Sequence, residues 1–388
     1  MPEYRFIEPL DVLYLRGNRL FGEPGAHGEA LMPPWPSTVS GALRSLMLVE
    51  GGIDATAYGR EMQTPEGALL DVVGTPKSPG SFRIAFYSLA VRHGETVSSC
   101  FPLPADVVLH GDRPVRISYL RPTELTETIT SSFHSRLHPP VLKTDRKEKP
   151  LTGRWLNARG LQAYLDGKDF EEGHLQLQSD LWGTDARLGI ALDAESRTAA
   201  EGQIYTAEAV APCRSDTENH HTGFLVGIDG GQGLVPREGL IRLGGDGRGA
   251  AIEACNTLVP EPDWQFIEHS RAFRIVLSTP GLFERGWLPP GLDDDNRWHG
   301  PQGVSARLVS AAVPRAQVVS GWNLAEWKPK PAQRAVPVGA VYWFDELEGG
   351  TEGLRKLARE GFWSINAYPD ANRKAEGFSN VFIAAWAG

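Results

Sequence analysis

Apolar residues in this chain fall mostly at every second position, in runs short enough to be strands, and only a few stretches carry them at helical spacing. Residues 4–15 predict a first strand. From about Thr38, the positions Val39, Ala42, Leu43, Leu46, Met47 and Val49 share one helical face, with Ser37 as the expected N-cap and Gly51-Gly52 as the stop. Residues 81–91 and 96–109 predict two further strands, the second broken by Pro102 and Pro104 and suited to a sheet edge. A short amphipathic helix is expected around Leu161 and Leu165, and strand character returns at 190–192 and 204–210. A second group of strands is expected at 222–228, 240–243, 273–278, 306–319, 336–344 and 381–386, with a helix over 351–360. Short strands mixed with helices, without regular alternation, indicate an α+β fold. The two groups suggest two domains, 1–212 and 213–388.

Composition narrows this picture. With 388 residues, 41% of them hydrophobic, the chain has material for two proper cores. No apolar run is long enough to span a bilayer, and the first residues lack a signal-peptide layout, so a cytoplasmic protein without a membrane partner is expected. Cys100, Cys213 and Cys255 are widely spaced, which argues against a disulfide framework or a zinc site. A net charge of −9 disfavours indiscriminate coating of nucleic acid. Between residues 113 and 159, however, ten Lys or Arg face four Asp or Glu. This proline-rich stretch, a basic insertion at about 110–160, reads as either a solvated loop or a polyanion contact on an acidic protein.

Three clusters carry candidate chemistry. Arg16, Arg19 and Phe21 follow the first strand, and Pro34-Trp35-Pro36-Ser37-Thr38 opens the helix that carries Arg44. A helix start presents unpaired N–H groups to an anion, guanidinium forks suit phosphate, and Phe21 offers a stacking face. The run Gly244-Gly245-Asp246-Gly247-Arg248 reads as a tight hairpin turn, as a loop admitting a sugar-phosphate chain to the backbone, or as the G-x-G-x-x-A of a dinucleotide fold ending at Ala250. In the third cluster, Trp322, Asn323, Trp327, Lys328, Lys330 and Arg334 combine tryptophans suited to a core or subunit contact with lysines suited to phosphate. His27 is a candidate general base, whereas His134, His138 and His220-His221 read as surface residues and Asp293-Asp294-Asp295 as a solvated turn.

The blocks I-E-P-L-D (7–11), R-G-N-R-L-F-G (16–22) and P-P-W-P-S-T-V-S-G-A-L-R (33–44) resemble the N-terminus of RAMP-superfamily subunit three of the Cmr complex, a type III-B CRISPR effector. Arg187–Leu192, Arg197-Thr198, Gly202–Tyr205, 243–248, 320–323 and 337–342 are similar to the later blocks of that family. The resemblance implies two ferredoxin-like (RRM-like) domains side by side, with long loop insertions. It also implies a non-catalytic subunit without cofactor or metal, which holds the 5′ handle of the CRISPR RNA and contacts the large polymerase-like subunit and backbone RAMP subunits. Handle contacts are then expected at Arg16, Arg19, Phe21, Ser37, Thr38 and Arg44, at Gly244, Gly245 and Arg248, and at Asn323, Lys328 and Lys330. Related RAMP endoribonucleases use a histidine near the position of His27, which makes RNA processing the alternative activity. Residues 376–380 retain one glycine where the superfamily often has a glycine-rich loop, so no RNA contact is expected there.

Overall fold

The computed structural model describes residues 2–15, 27–28, 30–111, 114–124, 137–144, 147–192, 195–215, 217, 219–245, 247–323, 326, 328–365 and 370–388. In chain order the elements that position the site begin with β1 (Glu3–Pro9), α1 (Pro36–Glu50), β2 (Arg83–His93), β3 (Thr96–Pro102), β4 (Arg154–Leu156), α2 (Ala158–Leu165) and β5 (Leu175–Leu177). A long ribbon of β6 (Trp182–Leu192) and β7 (Ala199–Pro212) precedes β8 (His220–Asp229), β9 (Glu238–Arg242) and β10 (Gly249–Ala254). There follow β11 (Phe273–Leu277), β12 (Arg297–His299), β13 (Ser305–Ala312), β14 (Val341–Glu348), α3 (Glu352–Glu360), α4 (Ala371–Glu376) and β15 (Val381–Ala385). The fold is mixed helix and sheet.

The first sheet has the order β5-β4-β3-β2-β8-β1-β10-β9, with Arg214–Ser215 also pairing β8. β8 lies antiparallel between β1 and β2, which therefore run parallel to each other and are joined by α1 as a crossover. The second sheet, β12-β13-β14-β11-β15, repeats the logic: β14 lies antiparallel between β11 and β13, and β15 flanks β11. Strands 220–254, expected in the second group, thus complete the first sheet, and the second begins only at Phe273. Hydrogen bonding decides this. β8 pairs along most of its length with both β1 and β2, which binds residues on either side of position 212 into one sheet.

Alternation along the central strands sorts side chains into three cores. Ile7, Phe224, Val226 and Ile252 face α1, whose Val39, Leu43 and Met47 cover them. Phe273, Ile275, Tyr342, Phe344 and Ile383 face α3 and its Leu354 and Leu357. The opposite faces of the two sheets meet each other: Phe6, Phe86, Phe101 and Leu225 pack with Val276, Val341, Trp343 and Phe382, and the Phe101 and Phe382 rings meet edge-on at 5.3 Å. Both central strands are therefore buried on both sides.

Local chemistry moved several boundaries. The first strand stops at Pro9, and residues 10–15 run on as an extended strap whose Leu13 exchanges two hydrogen bonds of 2.8 Å with Val210. The 96–109 stretch splits at Pro104 into β3 and a strand at Val107–His110, and β3 pairs at Phe101 and Pro102 with β4, so it is not a free edge. α1 begins at Pro36 with Trp35 as its N-cap, which places Ser37 inside the first turn. The basic insertion is partly built into the fold. Arg116 pairs with Glu148, the Leu137 side chain enters the core beneath α3, and the His138 N–H donates to the Val309 carbonyl at 2.9 Å. Arg113, Arg136 and Arg146 lie outside the described residues.

One buried charge sits between the sheets. Arg274, on the shared face of β11, donates to Asp106 Oδ2 and to the carbonyls of Tyr164 and Ala385, each at 3.0 Å. Its guanidinium lies 4.2 Å from the Tyr164 ring centroid, and the Tyr164 hydroxyl donates to Asp106 Oδ1 at 2.8 Å. Burial pushes the Asp106 carboxyl upward against the pull of Arg274. For Arg274, burial opposes the charge, but Tyr164 and Asp106 outweigh it and raise its pKa. Asp106→Ala strands this cation and is expected to cost about 3–5 kcal/mol in urea unfolding, whereas the double change Asp106→Leu with Arg274→Met recovers most of that loss. Equal losses in the single and double variants would show that the charge is not what the interface depends on.

Candidate nucleic-acid interface

The strap 10–15 brings two of the sequence clusters together. After Asp11 it crosses below the β9–β10 turn, where the Tyr14 carbonyl accepts from the Gly245 N–H at 2.8 Å, and then meets Leu31 just ahead of α1. An open cleft of about 420 Å³ forms there, floored by Gly244, Gly245 and Leu15 and walled by Trp35, Thr38 and Ala42 of α1. Tyr14 and Arg242 line it as well. Gly244 has φ +78°, and a Cβ there would stand 3.0 Å from the Tyr14 carbonyl oxygen, so the close approach requires glycine. The turn is a hairpin between antiparallel strands paired Arg242 to Gly249. This removes the dinucleotide reading: the residues after the glycines continue as β10, where that fold needs them to open a helix.

Two arginines contact Tyr14, and a third, Arg242, lines the same cleft. The Arg248 guanidinium lies 5.0 Å from the Tyr14 ring centroid and donates to Asp11 Oδ2 at 3.1 Å. Arg187, from β6, donates to the Tyr14 hydroxyl at 3.5 Å and pairs with Asp185 at 2.8 Å. The Asp185 and Tyr14 hydrogen bonds raise the Arg187 pKa. Arg242 is exposed and has no carboxylate partner among the described residues. Guanidinium groups beside an aromatic ring and a wall of main chain suit a phosphodiester with unstacked bases.

The other expected residues are distributed as follows. Thr38 lines the cleft, and Ser37, in the same turn, does not. Pro36 lacks an N–H and the Trp35 carbonyl accepts from Thr38 N–H at 2.9 Å, so this helix start has fewer free donors than the sequence implied. Arg44 points elsewhere. Its guanidinium lies 5.5 Å from the Phe82 ring centroid, and burial lowers its pKa against the opposing pull of Glu376 and Tyr58. Asn323 donates to Glu326 at 3.1 Å, Lys328 pairs with Glu326 at 2.9 Å, and Lys330 pairs with Glu376 at 2.6 Å. Arg16, Arg19, Phe21, His134, Asp246 and Trp327 lie outside the described residues, as does the side chain of His27, whose backbone pairs in parallel with Thr206.

One reading of a polar residue changes, and the solvated turn expected at Asp293-Asp294-Asp295 is found. His221 is no surface histidine: it is buried in β8, with Nδ1 at 2.7 Å from Glu8. Asp293 organises its turn, since Oδ1 accepts from the N–H groups of Asp295 and Arg297 while Oδ2 lies 3.0 Å from His299. Among the described residues no cluster of His, Cys, Asp or Glu has the arrangement of a metal site.

Arg242, Arg187, Tyr14 and Trp35 were not singled out from sequence. The signal for Arg242 was present: with Ile241 and Leu243 buried, strand alternation turns Arg242 to the face of Gly244. Arg187 gave none, because it reaches Tyr14 across 173 residues.

Comparison with known proteins gives one family and one fold. The profile of the CRISPR-associated protein family Cas_Cmr3 matches residues 5–386. No curated protein matches the chain. A chain from the cryo-EM structure of the type III-B Cmr-beta bound to cognate target RNA superposes with a TM-score of 0.52 at 15% identity, covering 98% of this chain and 96% of that one. A chain from the same assembly bound to cognate target RNA and AMPPnP gives a TM-score of 0.49 at 13% identity, covering 98% of each.

Gly244→Val forces a β-branched residue into positive φ against the strap. The expected result is faster hydrogen exchange at the Gly245 amide and a stability loss of roughly 1–3 kcal/mol, checked by exchange and urea unfolding. Unchanged exchange would mean that the strap does not depend on this approach.

Proposed function

The chain belongs to the Cas_Cmr3 family of CRISPR-associated proteins, the Cmr3 subunits of type III-B Cmr complexes, and from this premise we propose that it is a non-catalytic RNA-binding scaffold subunit holding the 5′ repeat-derived handle of the CRISPR RNA. The observation that carries the reading is the cleft at Tyr14, where main chain, two aromatic rings and three arginines converge. Its chemistry is that of single-strand binding: phosphates on Arg242, Arg248 and Arg187, and bases against Tyr14 or Trp35. Arg16 and Arg19 follow Tyr14 in sequence and extend the same basic run.

In the assembly the subunit joins the large polymerase-like subunit to the backbone RAMP subunits in the cytoplasm, while target cleavage and cyclic-nucleotide synthesis belong to other subunits. The strand orders support a pair of ferredoxin-like halves, because each sheet places an antiparallel strand between two parallel ones. Asp11 and Asp185 already occupy two of the arginines with carboxylates, so an incoming phosphate exchanges with them. Arg242, which has no carboxylate partner among the described residues, is therefore the contact with the largest net gain.

Binding of labelled handle RNA across a salt series, by this chain alone and with co-expressed partner subunits, tests the reading. Arg242→Gln is expected to weaken handle binding and to lower the slope of log affinity against log salt by about 0.7, the amount that one neutralised phosphate contributes on a single strand. His27→Ala should leave binding and RNA integrity unchanged. Metal-independent cutting that disappears in His27→Ala would make the chain a processing nuclease instead, and no handle binding in either format would overturn the RNA reading.

A further inference from the structure

The third sequence cluster ends at a hollow separate from the Tyr14 cleft. Its volume is about 400 Å³, and it is formed where the strand at Gln333–Ala335 meets the end of β13 and the loop at Trp287. Trp287, Ala311, Val313, Pro314 and Val336 supply a largely apolar lining. Trp287 is held in place through its carbonyl, which accepts from the buried Tyr342 hydroxyl at 2.6 Å. Arg334 lines the hollow, and Arg315 stands in the turn between Pro314 and Ala316, two further lining positions. Both arginines are exposed, and neither guanidinium has a hydrogen bond or ion pair among the described residues.

That solitude is unusual in this half of the protein. Arg285 pairs with Asp294, Arg297 with Glu346 and Glu348, Arg307 with Asp345 and Glu346, and Arg355 with Glu352. On a chain of net charge −9, two unpaired guanidinium groups beside an apolar hollow holding a tryptophan are complementary to a flat apolar group flanked by anions. We propose that this hollow is a second nucleotide site, taking one base of single-stranded RNA against Trp287, with the phosphates on its two sides held by Arg334 and Arg315. The site rests on the RNA-binding reading above and adds a contact outside the Tyr14 cleft. A nucleotide in a strand brings an anion on each side of its ring, matching two arginines that arrive on different segments. An aromatic residue in a protein partner brings such a pair only where acidic residues flank it, whereas every internal nucleotide of a strand has one.

The test uses the full chain, alone and assembled with co-expressed subunits, and RNA carrying 4-thiouridine at successive positions. Irradiation is expected to join one defined position to the peptide containing Trp287. Ala316→Trp, an exposed position at the rim, should abolish that crosslink and weaken RNA binding roughly tenfold, within the range for one stacked base. Arg315→Gln with Arg334→Gln should lower the salt slope by about 1.4, two single-strand phosphates at about 0.7 each. Far-ultraviolet circular dichroism and the thermal midpoint check that the variants fold. RNA binding that falls in Arg242→Gln but is untouched by both hollow variants would overturn this site and leave the Tyr14 cleft standing. Loss of assembly with partner subunits, at unchanged RNA binding, would overturn it in favour of a protein contact. Wild-type chain that binds no RNA in either format would overturn both.

Discussion

Arg274 carries a positive charge into the space between two sheets, where a turn, a helix and the last strand supply its partners. A lone cation at that depth would be heavily penalised, because the interior repays desolvation only through several well-placed partners. The partners come from distant parts of the chain: the Asp106 carboxylate, the Tyr164 ring and carbonyl, and the Ala385 carbonyl at the end of the last strand. Around them, Phe101, Phe382 and Trp343 exclude water. The two sheets share their inner core there. The strands β1, β8 and β10 belong to the first of these packed sheets, and β1 and β10 carry the strap and the hairpin of the Tyr14 cleft.

The cleft is a product of that rigidity more than of any motif. The strap leaves β1 at Pro9 and is pinned on one side to β7 through Leu13 and Val210, and on the other to the hairpin through Tyr14 and Gly245. Its position decides which side chains meet. Arg187 and Arg248 come from a strand and a turn far apart in sequence and meet at Tyr14, beside the cleft that Arg242 lines. On the far side of α1, Arg44 is drawn toward Phe82 and Glu376, and Glu376 also holds Arg373 at 2.9 Å and Lys330. One helix thus separates a surface open to ligand from a buried charge network.

Much of the fold was legible because alternation is a local signal. The patterns at 4–9, 83–91, 273–277 and 381–385 each place one apolar set per face and are strands in the structure. The ribbon shows where that signal stops: Leu188, Ile190 and Leu192 alternate as a strand should, yet all three are exposed, because no sheet of the described residues backs β6 on that face. The short helices at Trp264–Ser270 and Ala371–Glu376 escaped because seven and six residues carry too little periodicity. The limit of the first sheet near residue 254 was also invisible, since strand pairing across more than 200 residues leaves no mark in a window of ten. Among the site residues, the glycines and the helix start were legible by residue type, whereas Tyr14 and Arg187 gain their place from long-range geometry.

The contact between Gly244 and the Tyr14 carbonyl has a consequence for how such a groove can vary. A floor made of main chain has no graded versions: any side chain at that point must move a strand, so the width of the groove is inherited with the fold as a whole. Its rim is different in kind. Arg242 is a side chain of β9 and Thr38 and Trp35 are side chains at the start of α1, and each can be exchanged on its own without disturbing the floor. Shape and affinity are therefore governed by separate sets of positions, and strength of grip can be retuned while the geometry stays constant.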